Sequence, residues 1–206
     1  MTKTEDTIIR DVRIAIDEIE VNGGDFIGGS DDDELDTIIR RKIAEAVDWA
    51  HSNASIEVLA GDSFESVTIS SDGASVNQML RFISARADGW TRSVRELTEE
   101  GTEEYAIAID EYVGASKDRP VAVLVYSQSG KKIELLPSGE TDGTAIVIKR
   151  CVADPDGVKI DSGVYEAVIS YLAAIVLMTL NDSRGENLMQ LAKGVIGMDA
   201  QINNAQ

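Results

Sequence analysis

Acid–base or nucleophilic chemistry in this chain would have to pass through very few side chains, because it contains one histidine, His51, and one cysteine, Cys151. A nucleophile needs an adjacent base and a third group that orients the base. Neither residue stands in a motif that supplies them, such as the G-x-S-x-G turn. Helical periodicity places His51 at the solvated end of a helix, where the negative end of the helix dipole accounts for a histidine without catalysis. One His and one Cys also fall short of the four or so ligands of a structural zinc site. The acidic run Asp31-Asp32-Asp33-Glu34 lacks the D-x-D-x-D-G spacing that folds a loop around calcium. With Ser30 it reads instead as an N-cap and acidic first turn. Gly23-Gly24 and Gly28-Gly29 are not followed by Gly-Lys-Ser/Thr, and the flanking acids repel phosphate. Glu103 and Glu104 are adjacent, so their carboxylates diverge rather than share a proton. The sequence therefore offers no catalytic, cofactor-binding or metal-ligating residues and reads as a non-enzyme.

Charge narrows the partners. Lys and Arg number 19 against 37 Asp and Glu, a net charge of −18 over 206 residues. Gripping a phosphate backbone takes clustered cations, so direct nucleic-acid binding is not expected. An acidic face instead repels DNA that passes close to it. A lone cysteine forms no intramolecular disulfide and suits a reducing compartment. The opening MTKTEDTIIRD carries charge where a signal peptide needs an apolar core, so the chain reads as cytosolic when made. The apolar run Ala167 to Leu180 is shorter than the roughly 20 residues of a membrane span, and Glu166 and Asp182 bracket it. It reads as a buried core helix.

The elements that would position any site follow from periodicity. Ile8, Ile9, Val12, Ile16 and Ile19 form one amphipathic helical stripe. Leu35, Ile38, Ile39, Ile43, Ala46, Val47 and Ala50 form a second. Between them, GGDFIGGSDDDE presents Phe26. From Ser63 to Ile160 short β-branched runs alternate with turn signals, among them Asp88-Gly89 and Ser129-Gly130. Strands are expected at Ser66 to Ile69, Leu80 to Ala85, Val121 to Tyr126, Lys132 to Leu136 and Ala145 to Lys149, with a hairpin loop over Ser127 to Lys131. Glu103 to Glu111 fits either helix or strand. Helical spacing resumes after an N-cap at Asp161 or Ser162, and a last helix runs from Ser183 to about Ile196. The expected fold is α+β: a helical bundle of N- and C-terminal helices (1–62 and 161–206) with an inserted antiparallel β-rich domain (63–160). Trp90, beside a turn, is a candidate interface anchor. So are Phe26 and the residues of the last helix and its end, Leu188, Leu191, Val195, Ile196 and Met198, which are more apolar than a short terminal helix requires.

Two sets of segments carry a resemblance. The acidic cap Ser30 to Glu34 leading into LDTIIRRKIAEAVDWAH, and the late helix YEAVISYLAAIVLMTLND, are similar to the opening and closing helices of phage adaptors. LRFISARADGWTRSV, EEYAIAI, DRPVAVLVYSQSGKKIEL and the return to YEAVISYLAAIVL follow one another as in that family. Over about residues 30–195 the chain thus resembles the head-to-tail connector (adaptor or ring) proteins of tailed bacteriophages, most closely those of crAss-like phages. The resemblance implies a virion structural protein in the neck, present in the host cytoplasm during assembly. Its partners would be copies of itself in a twelvefold ring, the portal protein and other neck or tail proteins. Genomic DNA would pass through the ring without sequence-specific binding, and no membrane would be involved. It also implies that Leu188 to Gln206 docks on the portal, and it supplies no catalytic residues. The β insertion is large for a simple adaptor. The alternative from another class is a monomeric cytoplasmic module holding a ligand or peptide against the β region.

Overall fold

The computed structural model of the chain describes residues 1–20, 32–137, 142–152 and 157–198. It is a mixed α+β protein that divides into two compact units, residues 1–63 with 150–206 and residues 64–149.

The first unit holds four of the five helices found among the described residues: α1 (Glu5–Glu20), α2 (Asp32–Asn53), α4 (Tyr165–Thr179) and α5 (Arg184–Val195). Helix α4 lies against the other three. Its apolarity on every side is explained by burial, since Ala167, Val168, Leu172, Ala173, Val176 and Leu177 are all enclosed. The α1 stripe supplies Ile8, Ile9, Val12 and Ile16 to this core, and α2 supplies Ile39, Ile43, Ala46, Val47 and Ala50. Trp49 stacks on Tyr171 with ring centroids 4.2 Å apart. The Tyr165 hydroxyl donates to Asp11 at 2.7 Å. A short ladder joins β1 (Thr2–Lys3) to β9 (Val158–Lys159), and the Cys151 N–H donates to the Asp48 carboxylate at 2.7 Å. These bonds place residues 150–152 and 157–160 with the helices, whereas turn content assigns them to the β part.

The α4–α5 turn is made by Asn181, whose φ of 58° lies in the left-handed region that Asn tolerates better than other non-glycine residues. The Asp182 carboxylate then accepts the Arg184 N–H at 2.9 Å and opens α5. The two helices approach closely at Gly185.

The second unit is two facing sheets. One has the order β2 (Glu65–Ile69), β8 (Gly143–Lys149), β4 (Met79–Ala87); the other runs β3 (Ala74–Ser75), β7 (Gly130–Leu136), β6 (Val121–Ser127), β5 (Leu97–Glu99). Ile69, Ala85, Ala145 and Val147 from the first meet Ala122, Leu124 and Ile133 from the second in one apolar cluster. All pairings are antiparallel except β5 with β6, which is parallel. That pairing departs from the purely antiparallel expectation. It arises where the chain changes sheets: Ala85 and Val94 exchange backbone bonds at 2.8 Å, and the chain then continues into β5. The β6–β7 hairpin closes on Gln128-Ser129, with Ser127 paired to Gly130. The ambiguous segment is a helix, α3 (Glu103–Ala108), capped by the Thr102 hydroxyl, which accepts the Tyr105 N–H.

A Cβ on Gly185 would stand 2.6 Å from Met178 Cγ and 2.9 Å from the Ala174 carbonyl oxygen. Alanine gains up to about 1 kcal/mol in helix propensity, but overpacking of this kind costs roughly 1–3 kcal/mol. Gly185→Ala is expected to lower stability by about 1–2 kcal/mol net in urea denaturation.

Candidate interaction surfaces

His51, Ser63 and Asp161 are brought together inside the first unit, with 2%, 4% and 0% exposure. The solvated helix-end position expected for His51 is therefore corrected: it is enclosed. These are the residue types of a hydrolase triad, but their connections are different. His51 Nε2 accepts the Asp161 backbone N–H at 3.1 Å. The lone pair a general base would use is thus already engaged. The Ser63 hydroxyl donates to the Asp161 carboxylate at 3.2 Å instead of to the imidazole.

The centre of the cluster is the Asp161 carboxylate. It accepts backbone N–H groups from Ala60 (2.7 Å), Gly61 (2.9 Å), Gly163 (3.0 Å) and Ser63 (3.4 Å). Burial pushes the carboxyl pKa up, but these hydrogen bonds to the charged form together outweigh it and hold the pKa below the ordinary value. This is a structural knot between the 54–63 segment and the start of α4. Sequence reading found only its capping part, and no local signal announced the partners a hundred residues away. Next to it, Ser162 binds Asp62 through both hydroxyl and N–H. Cys151 is half-buried, and burial with the Asp48 and Glu5 charges pushes its thiol up to about 11, so it is a poor nucleophile. Glu103 and Glu104 occupy the exposed first turn of α3. Among the described residues, no group of three His, Cys, Asp or Glu side chains is arranged to hold a metal.

What remains is surface. In α5 and its C-cap the positions Leu188, Ala192 and Ile196 repeat at four-residue spacing and are buried. Leu188 and Ile196 are therefore corrected from interface candidates to core residues. Leu191 stands on the adjoining flank and is 50% exposed, with Val195 and Met198 half-buried beside it in the same period. At the end of α4, Met178 and Leu180 are also exposed. Phe26 lies outside the described residues. Trp90 is 5% exposed, so it too is corrected, from surface anchor to core. Its backbone N–H donates to the Ala87 carbonyl oxygen at 3.2 Å across the Gly89 turn, where φ is 79°, and the turn folds the indole inward.

A second apolar surface follows α3, where Ile107, Ile109, Tyr112 and Val113 are 52%, 55%, 90% and 56% exposed. This loop is built, not loose. The Asp110 carboxylate accepts the Tyr112 and Val113 N–H groups at 2.8 and 3.0 Å, bonds that hold its pKa low. The Ala115 N–H closes the loop on Ala108 O at 2.8 Å. A Cβ on Gly114 would collide with Asp110 O at 2.1 Å, so the crossing requires glycine. The same unit also has a groove of about 290 Å³ lined by Val67, Val76, Met79 and Val147 with Asn77 and Lys149. No protein-family model and no curated protein matches the chain.

Two measurements check these assignments. Trp90→Ala is expected to cost about 3–5 kcal/mol of stability, as for other buried tryptophans; a normal urea midpoint with impaired association would return Trp90 to the surface. Asp161→Asn places an amide among N–H donors and is expected to cost about 3 kcal/mol at neutral pH. Because the folded pKa lies below the ordinary 3.8, the wild-type advantage is full above that value and is lost as pH falls through the folded pKa. The gap between wild type and variant should be constant from about pH 5 to 7 and narrow below about pH 4.

Proposed function

We propose that the chain is a virion structural protein of a tailed bacteriophage, a head-to-tail connector subunit that forms a neck ring, binds the portal and joins capsid to tail. The frame in this reading is a bundle of α1, α2, α4 and α5, and residues 64–149 are the insertion. The observation that carries it is the α4–α5 hairpin, whose exposed Met178, Leu180 and Leu191 lead toward the C-terminal segment that docks in the resembled family. The net charge of −18 supports a place beside the DNA channel, where a wall that gripped phosphates would hold back ejection. No catalytic activity is assigned. Assembly takes place in the host cytoplasm, and the mature location is the head–tail neck.

A second reading is favoured by the groove between Val67 and Lys149: a monomeric module that binds a small ligand or peptide. The two are separated by co-expression with the portal protein of the same phage and size-exclusion chromatography with light scattering. The connector reading expects a co-eluting complex, weakened about tenfold or more by Leu191→Glu, which puts a charge into a desolvated contact. A folded chain that stays monomeric and passes the portal unbound supports the ligand module instead.

A further inference from the structure

Residues 86–119 of the β unit carry exposed acids and exposed cations that, among the described residues, form no ion pairs with one another. From Glu96 to Val113 the exposed charges are all acidic: Glu96, Glu99, Glu100, Glu103, Glu104, Asp110 and Glu111. The same stretch holds the exposed apolar Ile107, Ile109, Tyr112 and Val113. Five exposed cations lie close by in sequence, Arg86 near the end of β4, Arg92 and Arg95 on the turn that follows it, and Lys117 and Arg119 on another turn, with Asp88, Glu96 and Asp118 as the exposed acids among them. Those turns are tied together, because the Thr91 N–H and hydroxyl both donate to Lys117 O, at 3.0 and 3.2 Å. Among the described residues, none of these five cations is in an ion pair; the pairs found involve other residues.

We infer that the acidic, apolar α3 loop of one copy docks on the basic turns of the next copy, forming the head-to-tail contact of the ring. The occupant is a second copy because the complementary surface is written in the same chain. Copies with a net charge of −18 repel one another. Self-contact therefore needs a local basic patch opposite an acidic one, and five of the 19 cations supply it. Where the acidic loop of one copy meets the basic turns of the next and the reverse pairing is not made across the same contact, the contact is heterologous, the type that generates rings when the rotation closes. Tyr112, 90% exposed on a loop fixed by Asp110 and Gly114, offers a ring face to the guanidinium groups of Arg92 or Arg95.

The inference rests on the ring reading above, and charge exchange in the full chain tests both separately. Glu104→Lys with Glu111→Lys reverses one face; Arg92→Glu with Arg119→Glu reverses the other. Association is read by sedimentation velocity at low and high salt, with and without portal protein. Either reversal alone is expected to raise the self-dissociation constant by about tenfold or more at low salt, and high salt to weaken the wild-type contact. Mixing the two variants, or combining all four changes in one chain, is expected to restore association, which also shows that the variants fold. Tyr112→Ser should weaken the contact at either salt. Rings that persist unweakened in both reversal variants overturn the proposed contact and leave the ring reading intact. A wild-type chain that neither self-associates nor docks on the portal removes the ring reading, and this contact with it.

Discussion

A single buried carboxylate organises the helical unit. Asp161 has no solvent exposure, yet it stays charged because four backbone N–H groups and a serine hydroxyl converge on it. An isolated buried charge would be intolerable; a fully hydrogen-bonded one is a directional tie that apolar packing cannot supply. The tie fixes where the chain turns into α4, the helix that meets α1, α2 and α5. His51 reinforces the same point by receiving the Asp161 N–H. The residue types that most suggested catalysis are thus spent on architecture.

The same device recurs on a smaller scale. Asp182 accepts a backbone N–H to open α5, and Asp110 accepts two to shape the loop behind Tyr112. Part of the large acidic excess therefore does local structural work, capping turns and helix starts where N–H groups lack partners. Glu96, Glu99, Glu103, Glu104 and Glu111, by contrast, are exposed and in no ion pair among the described residues, and a field of one sign on a surface is available for recognition. This difference separates acids that hold the fold from acids left at the surface.

Helices and central strands were legible because their burial follows from period. The stripe through Ile8, Val12 and Ile16 and the runs of β6 and β7 needed no tertiary information. Four short strands were not: β1 and β9, two residues each, and β3 and β5 exist only through partners distant in sequence. Trp90 looked like a surface anchor because its neighbours Asp88 and Arg92 are polar, but the Gly89 turn directs it inward. In α5, counting apolar residues overstated the surface. Residues 188, 192 and 196 face the core, and only the flank containing Leu191 stays open. The Asp161 knot was half legible, since capping is local while its bonds to Ala60, Gly61 and Ser63 span about a hundred residues.

The proposed connector role joins a family resemblance to two exposed surfaces, the apolar flank of the α4–α5 hairpin proposed for the portal and the charged α3 loop proposed for a neighbouring copy. The most direct test of the proposal is a cryo-electron microscopy reconstruction of the neck of a tailed phage particle whose genome carries this sequence. The account predicts a closed ring of copies beneath the portal, with α5 toward the portal and the Tyr112 loop of each copy against the Arg92 turn of the next. Neck density that is complete without this chain would contradict it.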